Sequence, residues 1–126
     1  MKQYIVKVYD NRTEWRNQKG QLHRDGNLPA VEFLNGDKAY WFNGKLHRDG
    51  GLPAIEYLNG YKSYYVNGKL HRDGDLPAIE WSDGTKEYWI NGKQVTKDIA
   101  EQLAKPTCDG KVVEIDGRKY QLKEVK

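Results

Sequence analysis

The string His-Arg-Asp-Gly occurs at 23–26, 47–50 and 71–74, and each copy is followed by Leu-Pro-Ala, at 28–30, 52–54 and 76–78. The spacing is 24 residues in both intervals. A period of this length leaves each unit room for one supersecondary element, which must bury its apolar surface against its neighbours. Aligned units read Ala30-Val31-Glu32-Phe33-Leu34-Asn35-Gly36, Ala54-Ile55-Glu56-Tyr57-Leu58-Asn59-Gly60 and Ala78-Ile79-Glu80-Trp81-Ser82-Asp83-Gly84. Second runs follow from Lys38 to Phe42, Lys62 to Val66 and Lys86 to Ile90, and each ends at another Asn-Gly, at 43, 67 and 91. Short β-rich runs joined by Asn-Gly or Asp-Gly specify hairpins, because a type I′ turn needs positive φ at both central residues. The fold expected is mainly β: an array of antiparallel hairpin repeats.

A two-residue turn at Asn35-Gly36 would set Glu32 opposite Ala39 and Val31 opposite Tyr40. Alternation then assigns one face to the core, carrying Val31, Phe33, Tyr40 and Phe42 and their equivalents Ile55, Tyr57, Tyr64, Val66, Ile79, Trp81, Tyr88 and Ile90. The opposite face is mixed. It carries Glu32, Leu34, Ala39 and Trp41 with their equivalents, hence one aromatic per unit at Trp41, Tyr65 and Trp89. The connection from Gly44 to Pro53 is punctuated by glycine and closed by proline, so it is expected to be a loop or a very short strand.

One domain spanning 1–126 is expected, with a degenerate unit at 1–22, hairpin repeats at 23–94 and a cap at 95–126. In the first unit Asn11 and Gly20 stand where Asn35 and Gly44 do, but Trp15 and Arg16 break the aromatic pattern. At the other end the His-Arg-Asp-Gly string is lost after Val95, as terminal repeats change to close an edge. Thr96 is placed to cap a short helix over 97–104, stopped by Pro106, which would cover the last strand. Val112 to Ile115, Asp116-Gly117 and Lys119 to Leu122 read as a final hairpin that extends the sheet or packs back on it.

Leu, Ile, Val and Phe number only 26 of 126 residues, so the nine Tyr and four Trp must supply much of the core, which is expected to be thin and aromatic. A net charge of +3 from interspersed residues is a mild bias toward anionic partners. The single cysteine, Cys108, excludes an internal disulfide and suits a reducing compartment. The N-terminal stretch alternates and contains Lys7, unlike a signal peptide or membrane span. A cytoplasmic protein without membrane contact is the expectation.

Tyr-Trp-Phe-Asn-Gly-Lys-Leu-His-Arg-Asp-Gly-Gly-Leu-Pro-Ala at 40–54 resembles the W-x-x-N-G-x-x-H-R-x-D-G-P-A repeats of phage, bacterial and giant-virus proteins, which are similar to MORN repeats. The resemblance covers residues 15–94. This chain departs from the pattern by placing Asp directly after Arg and by inserting Asn-Leu, Gly-Leu or Asp-Leu before Pro. The resemblance implies an elongated hairpin array used for contacts with protein or ligand, in the host cytoplasm if the chain is phage-encoded.

His23, His47 and His71 suggest a metal cluster, but successive hairpins should separate them by about 10 Å, whereas the ligands of one zinc lie about 2.0–2.3 Å from the ion. No metal or other cofactor is expected. His-Arg-Asp also matches the catalytic loop of protein kinases, yet the chain is too short for that fold and lacks its glycine-rich loop. The simpler reading is structural: Asp49 bonds the turn ending at Gly50, and Arg48 pairs with a repeated glutamate, Glu32 or Glu56. Candidates for binding are Trp41, Tyr65 and Trp89 on the mixed face, beside His47, Arg48, His71 and Arg72, because aromatic rings and guanidinium groups dominate protein interfaces and also suit nucleotides.

With no nucleophile–base pair, paired carboxylates or phosphate loop, the chain reads as a non-enzymatic protein-interaction module or small inhibitor, and on the resemblance as a phage counter-defence protein. The alternative is a small-ligand protein sequestering an anionic or cyclic nucleotide. Nucleic acid ranks below both, since no dense basic patch exists. Exposed strand edges also allow a homodimer.

Overall fold

The computed structural model describes residues 3–104, 112–115 and 118–121 and is mainly antiparallel β, with a single short helix among those residues. A hairpin of β1 (Ile5–Val8) and β2 (Arg12–Arg16) opens the chain. The first full unit contributes β3 (Val31–Phe33), β4 (Lys38–Ala39), β5 (Trp41–Phe42) and β6 (Lys45–Leu46). The second contributes β7 (Ile55–Glu56), β8 (Lys62–Ser63), β9 (Tyr65–Val66) and β10 (Lys69–Leu70). The third has β11 (Ile79–Glu80), β12 (Lys86–Ile90) and β13 (Lys93–Val95). A nine-stranded meander runs β1-β2-β3-β4-β7-β8-β11-β12-β13, while β5 with β6 and β9 with β10 form two-stranded hairpins beside it. The first two full units therefore make one hairpin in the sheet and one beside it, the third keeps both in the sheet, and the short strand allowed after Gly44 is β6.

The two Asn-Gly steps of a unit fold differently. At Asn43-Gly44 both residues have positive φ (49° and 81°), and Trp41 pairs with Leu46 and Phe42 with Lys45 across a two-residue type I′ turn. At Asn35-Gly36 only the glycine has positive φ, at 101°. There the Phe33 N–H donates to the Asp37 carbonyl and the Gly36 N–H to the Phe33 carbonyl, both at 2.9 Å, which makes a three-residue loop. Tyr57 with Tyr61 and Trp81 with Thr85 repeat the arrangement.

Val31 consequently pairs with Ala39, and Glu32 with Lys38, one residue out from the two-residue register. A one-residue slip turns every side chain of the second strand to the other face. This corrects the expected sorting: Ala39 and Trp41 share a face with Val31 and Phe33, whereas Tyr40 joins Glu32. Of the residues assigned to the core, Val31, Tyr40, Tyr64 and Ile79 are buried, but Phe42, Tyr57, Val66 and Trp81 are exposed.

Units are stitched together at the repeated alanine. The Tyr40 N–H donates to the Ala54 carbonyl (2.7 Å), and the Ala54 N–H to that of Ser63 (2.9 Å). Ala30, Ala54 and Ala78 have no exposed surface, so a larger side chain there would have to displace its neighbours. The outer hairpins stack as well, since the N–H groups of Gly44, Gly68 and Gly92 donate to the carbonyls of Leu22, Leu46 and Leu70 in the preceding unit.

Both ends modify the repeat. Trp15 takes the place of Tyr40: its carbonyl accepts the His23 N–H as that of Tyr40 accepts the His47 N–H. The aromatic pattern is therefore kept in the first unit, one residue out of step, because the loop from Trp15 to His23 is one residue longer than that from Tyr40 to His47. At the C-terminal end Val95 and Thr96 occupy the places of His71 and Arg72. The Ile99 N–H donates to Thr96 Oγ1 (3.2 Å), a cap worth about 1 kcal/mol, at the start of α1 (Lys97–Ala104). Ala100 and Val95 form a small core with Tyr88, Ile90, Ile99 and Leu103, so the helix covers the last long strand as its sequence suggested. Strands β14 (Val112–Ile115) and β15 (Arg118–Gln121) make a separate hairpin, with β14 beside α1, instead of extending the main sheet. Pro106 and Cys108 lie outside the described residues. Among the described residues no helix is long and apolar enough to cross a membrane.

Candidate functional site

The His-Arg-Asp-Gly loops form clasps between units. His47 Nδ1 accepts the N–H of Asn67, in the type I′ turn of the next unit, at 3.0 Å. That nitrogen must be unprotonated to accept, so the ring proton sits on Nε2 and is donated to Asp49 Oδ1 at 2.7 Å. His23 with Asn43 and His71 with Asn91 make the same bond at 3.0 Å. Asp49 thus holds the imidazole, whereas its sequence position suggested a bond to the turn ending at Gly50.

Each arginine closes its own loop. The Arg48 guanidinium lies 3.7 Å from the centre of the Tyr40 ring, and Nη1 donates to the Pro53 carbonyl (3.1 Å) and Glu56 Oε1 (2.5 Å). Arg24 repeats this with Trp15, Pro29 and Glu32, and Arg72 with Tyr64, Pro77 and Glu80. The pairing of Arg48 with Glu56, one of its two expected partners, is observed. Burial pushes the Tyr40 and Tyr64 phenols above their ordinary range, against the opposing pull of the guanidinium on each ring. Imidazole and guanidinium groups are both committed to holding the fold. Among the described residues no three His, Cys, Asp or Glu side chains come together to hold a metal ion.

The opposite face has a different character. One row of cross-strand partners runs across the sheet: Glu14, Val31, Ala39, Ile55, Ser63, Ile79 and Glu87. Alternation places Phe33, Tyr57 and Trp81 on this face in one column and Trp41, Tyr65 and Trp89 in another. Phe33, Trp41 and Tyr57 line a cavity of about 310 Å³ with Val31, Ala39 and Ile55. Further along, Glu87 accepts both the Trp81 and the Trp89 indole N–H, at 3.0 and 3.1 Å. The Tyr61 ring lies 5.3 Å from Tyr57 and 4.9 Å from Trp81. Burial, then the nearby Tyr61 and Tyr57 phenols, push the Tyr65 phenol upward. Tyr57 and Trp81 remain 40% and 44% exposed. Leu34 and Leu58, at the turn edge, are 85% and 71% exposed.

Glu14, whose partner in β1 is Lys7, is buried between two cations, with Arg12 Nε and Arg16 Nη2 each 2.8 Å from its carboxylate. Burial pushes this carboxyl up, but the two guanidinium groups together outweigh it and leave the value below the ordinary range.

The candidate residues therefore separate. His47, Arg48, His71 and Arg72 line a cleft of about 430 Å³ between successive loops, on the glutamate side. Trp41 and Trp89 belong to the aromatic side. Tyr65 borders both: its carbonyl accepts the Arg48 N–H at 3.3 Å, while its phenol lies toward Tyr57 and Tyr61. Phe33, Tyr57 and Trp81 complete the aromatic face, although alternation with the wrong turn length had placed them in the core. Asn35, Asn59 and Asp83 stabilise the longer loop through Oδ1 atoms that accept the N–H two residues on at 2.8–2.9 Å, but the same Asn-Gly pair also forms the two-residue turns and gave no sequence signal. No family model, curated protein or solved structure matches this chain.

Proposed function

We propose that the chain is a non-enzymatic protein-interaction module whose contact surface is the face bearing Phe33, Tyr57 and Trp81 and Trp41, Tyr65 and Trp89. The observation that carries this reading is the two parallel columns of aromatic side chains, with Tyr57 and Trp81 open to solvent. Large rings held by a sheet lose little conformational freedom on binding, and Tyr and Trp dominate interface energetics. The clasps on the other side contribute rigidity. Their guanidinium groups are engaged with rings, carbonyls and glutamates, which argues against the nucleotide reading of the Trp41, Tyr65 and Trp89 stripe, since that reading needed His47, Arg48, His71 and Arg72 beside those rings.

The resemblance to the hairpin repeats of phage, bacterial and giant-virus proteins supports a setting in which the partner is a host protein and binding inhibits it. A counter-defence role in the host cytoplasm follows from that setting. The test is affinity capture from a host lysate with the native sequence and with Tyr57→Ser/Trp81→Ser. A defined partner retained by the first and lost by the second supports the proposal. Equal retention by both, or no partner, refutes it.

A further inference from the structure

A second site lies at the N-terminal end of the array, away from the aromatic face, where the repeat is broken. In the regular units the glycine of each type I′ turn packs against the preceding hairpin: Gly68 lies against Lys45 and Gly92 against Lys69. The first unit keeps this contact, with Gly44 against Gln21, and its longer loop sets Asn17, Gln18 and Lys19 beside it. Together with Tyr4 and Phe42 they line a cavity of about 710 Å³.

The polar atoms there are sorted by one residue. Asn17 Nδ2 donates to Gln21 Oε1 (3.0 Å) and Asn43 Oδ1 (3.2 Å), while Asn17 Oδ1 accepts the N–H groups of Lys19 and Gln21. Both neighbouring amides have spent their oxygen atoms, so their NH2 groups are left. The carboxylate at the cavity, Asp25, is taken on both oxygens, by the Tyr4 hydroxyl (2.6 Å) and by His23 Nε2 (3.1 Å). Gln18 gives its NH2 to the Gln3 carbonyl (3.1 Å), which leaves its oxygen and the Gln3 amide at the rim, while the groups left around Asn17 are donors: Gln21 Nε2, Asn43 Nδ2 and the Lys19 ammonium. Beside them stands an apolar wall, the Phe42 ring, which is 45% exposed and packs on His23 at 4.5 Å.

We propose that this cavity binds a mononucleotide, with the base stacked on Phe42 and the phosphate met by Lys19 and the two amide NH2 groups. A cation, surplus donors and a ring in one cavity of this size match a planar base carrying an anion. The site is distinct from the proposed protein-binding face, so either can fail alone.

The experiment is titration calorimetry of the full chain with AMP, GMP, CMP and UMP, the corresponding nucleosides and a short oligonucleotide, together with amide chemical-shift mapping. At least one monophosphate is expected to bind, shifting Gln21, Phe42 and Asn43. Lys19→Glu, on an exposed turn, is expected to weaken it about tenfold or more without changing the thermal midpoint. Gln21→Ala gives a second, uncharged test and should also weaken binding. The proposal is overturned if no monophosphate binds, if the nucleosides bind as tightly as the monophosphates, if only the oligonucleotide binds, or if both variants bind as the native chain does.

Discussion

Replacing Arg48 by Met keeps an unbranched stem over Tyr40 and removes the guanidinium, so it isolates what the clasp contributes. Four interactions are lost, of which the exposed donation from Nε to Asn27 Oδ1 (3.1 Å) is readily replaced by water. The cation over the Tyr40 ring at 3.7 Å accounts for about 0.5–1 kcal/mol at a partly exposed site. The Pro53 carbonyl, in a buried residue, loses its donor, at a cost of roughly 1–3 kcal/mol. Glu56 loses its partner, but its side chain is 35% exposed and water can solvate it, so screening limits this contribution to about 1 kcal/mol or less. The expected destabilisation is about 2–4 kcal/mol. With a urea slope of roughly 1–2 kcal/mol per molar, the midpoint should fall by at least about 1 M with the slope unchanged. Arg48→Lys should fall between, since an ammonium keeps the charge but cannot serve ring, carbonyl and carboxylate together. A change below about 0.5 kcal/mol, the range of a neutral surface substitution, would refute the structural reading of the motif. If partner binding were lost at the same time, Arg48 would instead be a contact residue.

Two further outcomes follow from the same geometry. Ser63 has no exposed surface and its Oγ has no hydrogen-bond partner, while Ala39 fills the equivalent place one unit earlier; Ser63→Ala should stabilise the fold by about 1 kcal/mol in thermal or urea unfolding, and a clear destabilisation would show that the hydroxyl is bonded. Because the Glu14 carboxyl is held below its ordinary value in the folded chain, its contribution is complete above the unfolded carboxylate range near pH ~4.3 and is lost as pH falls through the folded value. Glu14→Gln should flatten the acid limb of the stability curve there, and parallel curves for the two proteins would contradict this.

Much of the architecture was legible because the period and the turn dipeptides act locally. The hairpins, the pairing of Arg48 with Glu56 and the helix capped by Thr96 each rest on spacing within a few residues of chain. The face of the sheet was not legible, because Asn-Gly serves two turn types and the choice depends on β4 pairing with both β3 and β7. Trp15 was misjudged for a related reason: a single extra residue in its loop hid its equivalence to Tyr40. The donors at Gln21 and Asn43 were invisible at the sequence level, since their character depends on how Asn17, across the loop, orients the two amides.

The assignment of both aromatic columns to one face rests on the three-residue loops, and proton NMR tests it directly through cross-strand Hα–Hα contacts. With Glu32 opposite Lys38, Glu56 opposite Lys62 and Glu80 opposite Lys86, those three pairs should give strong nuclear Overhauser effects. Strong effects between Phe33 and Lys38 and between Tyr57 and Lys62 instead would restore the two-residue register, return Trp41 and Tyr65 to the glutamate side, and contradict the proposed binding face.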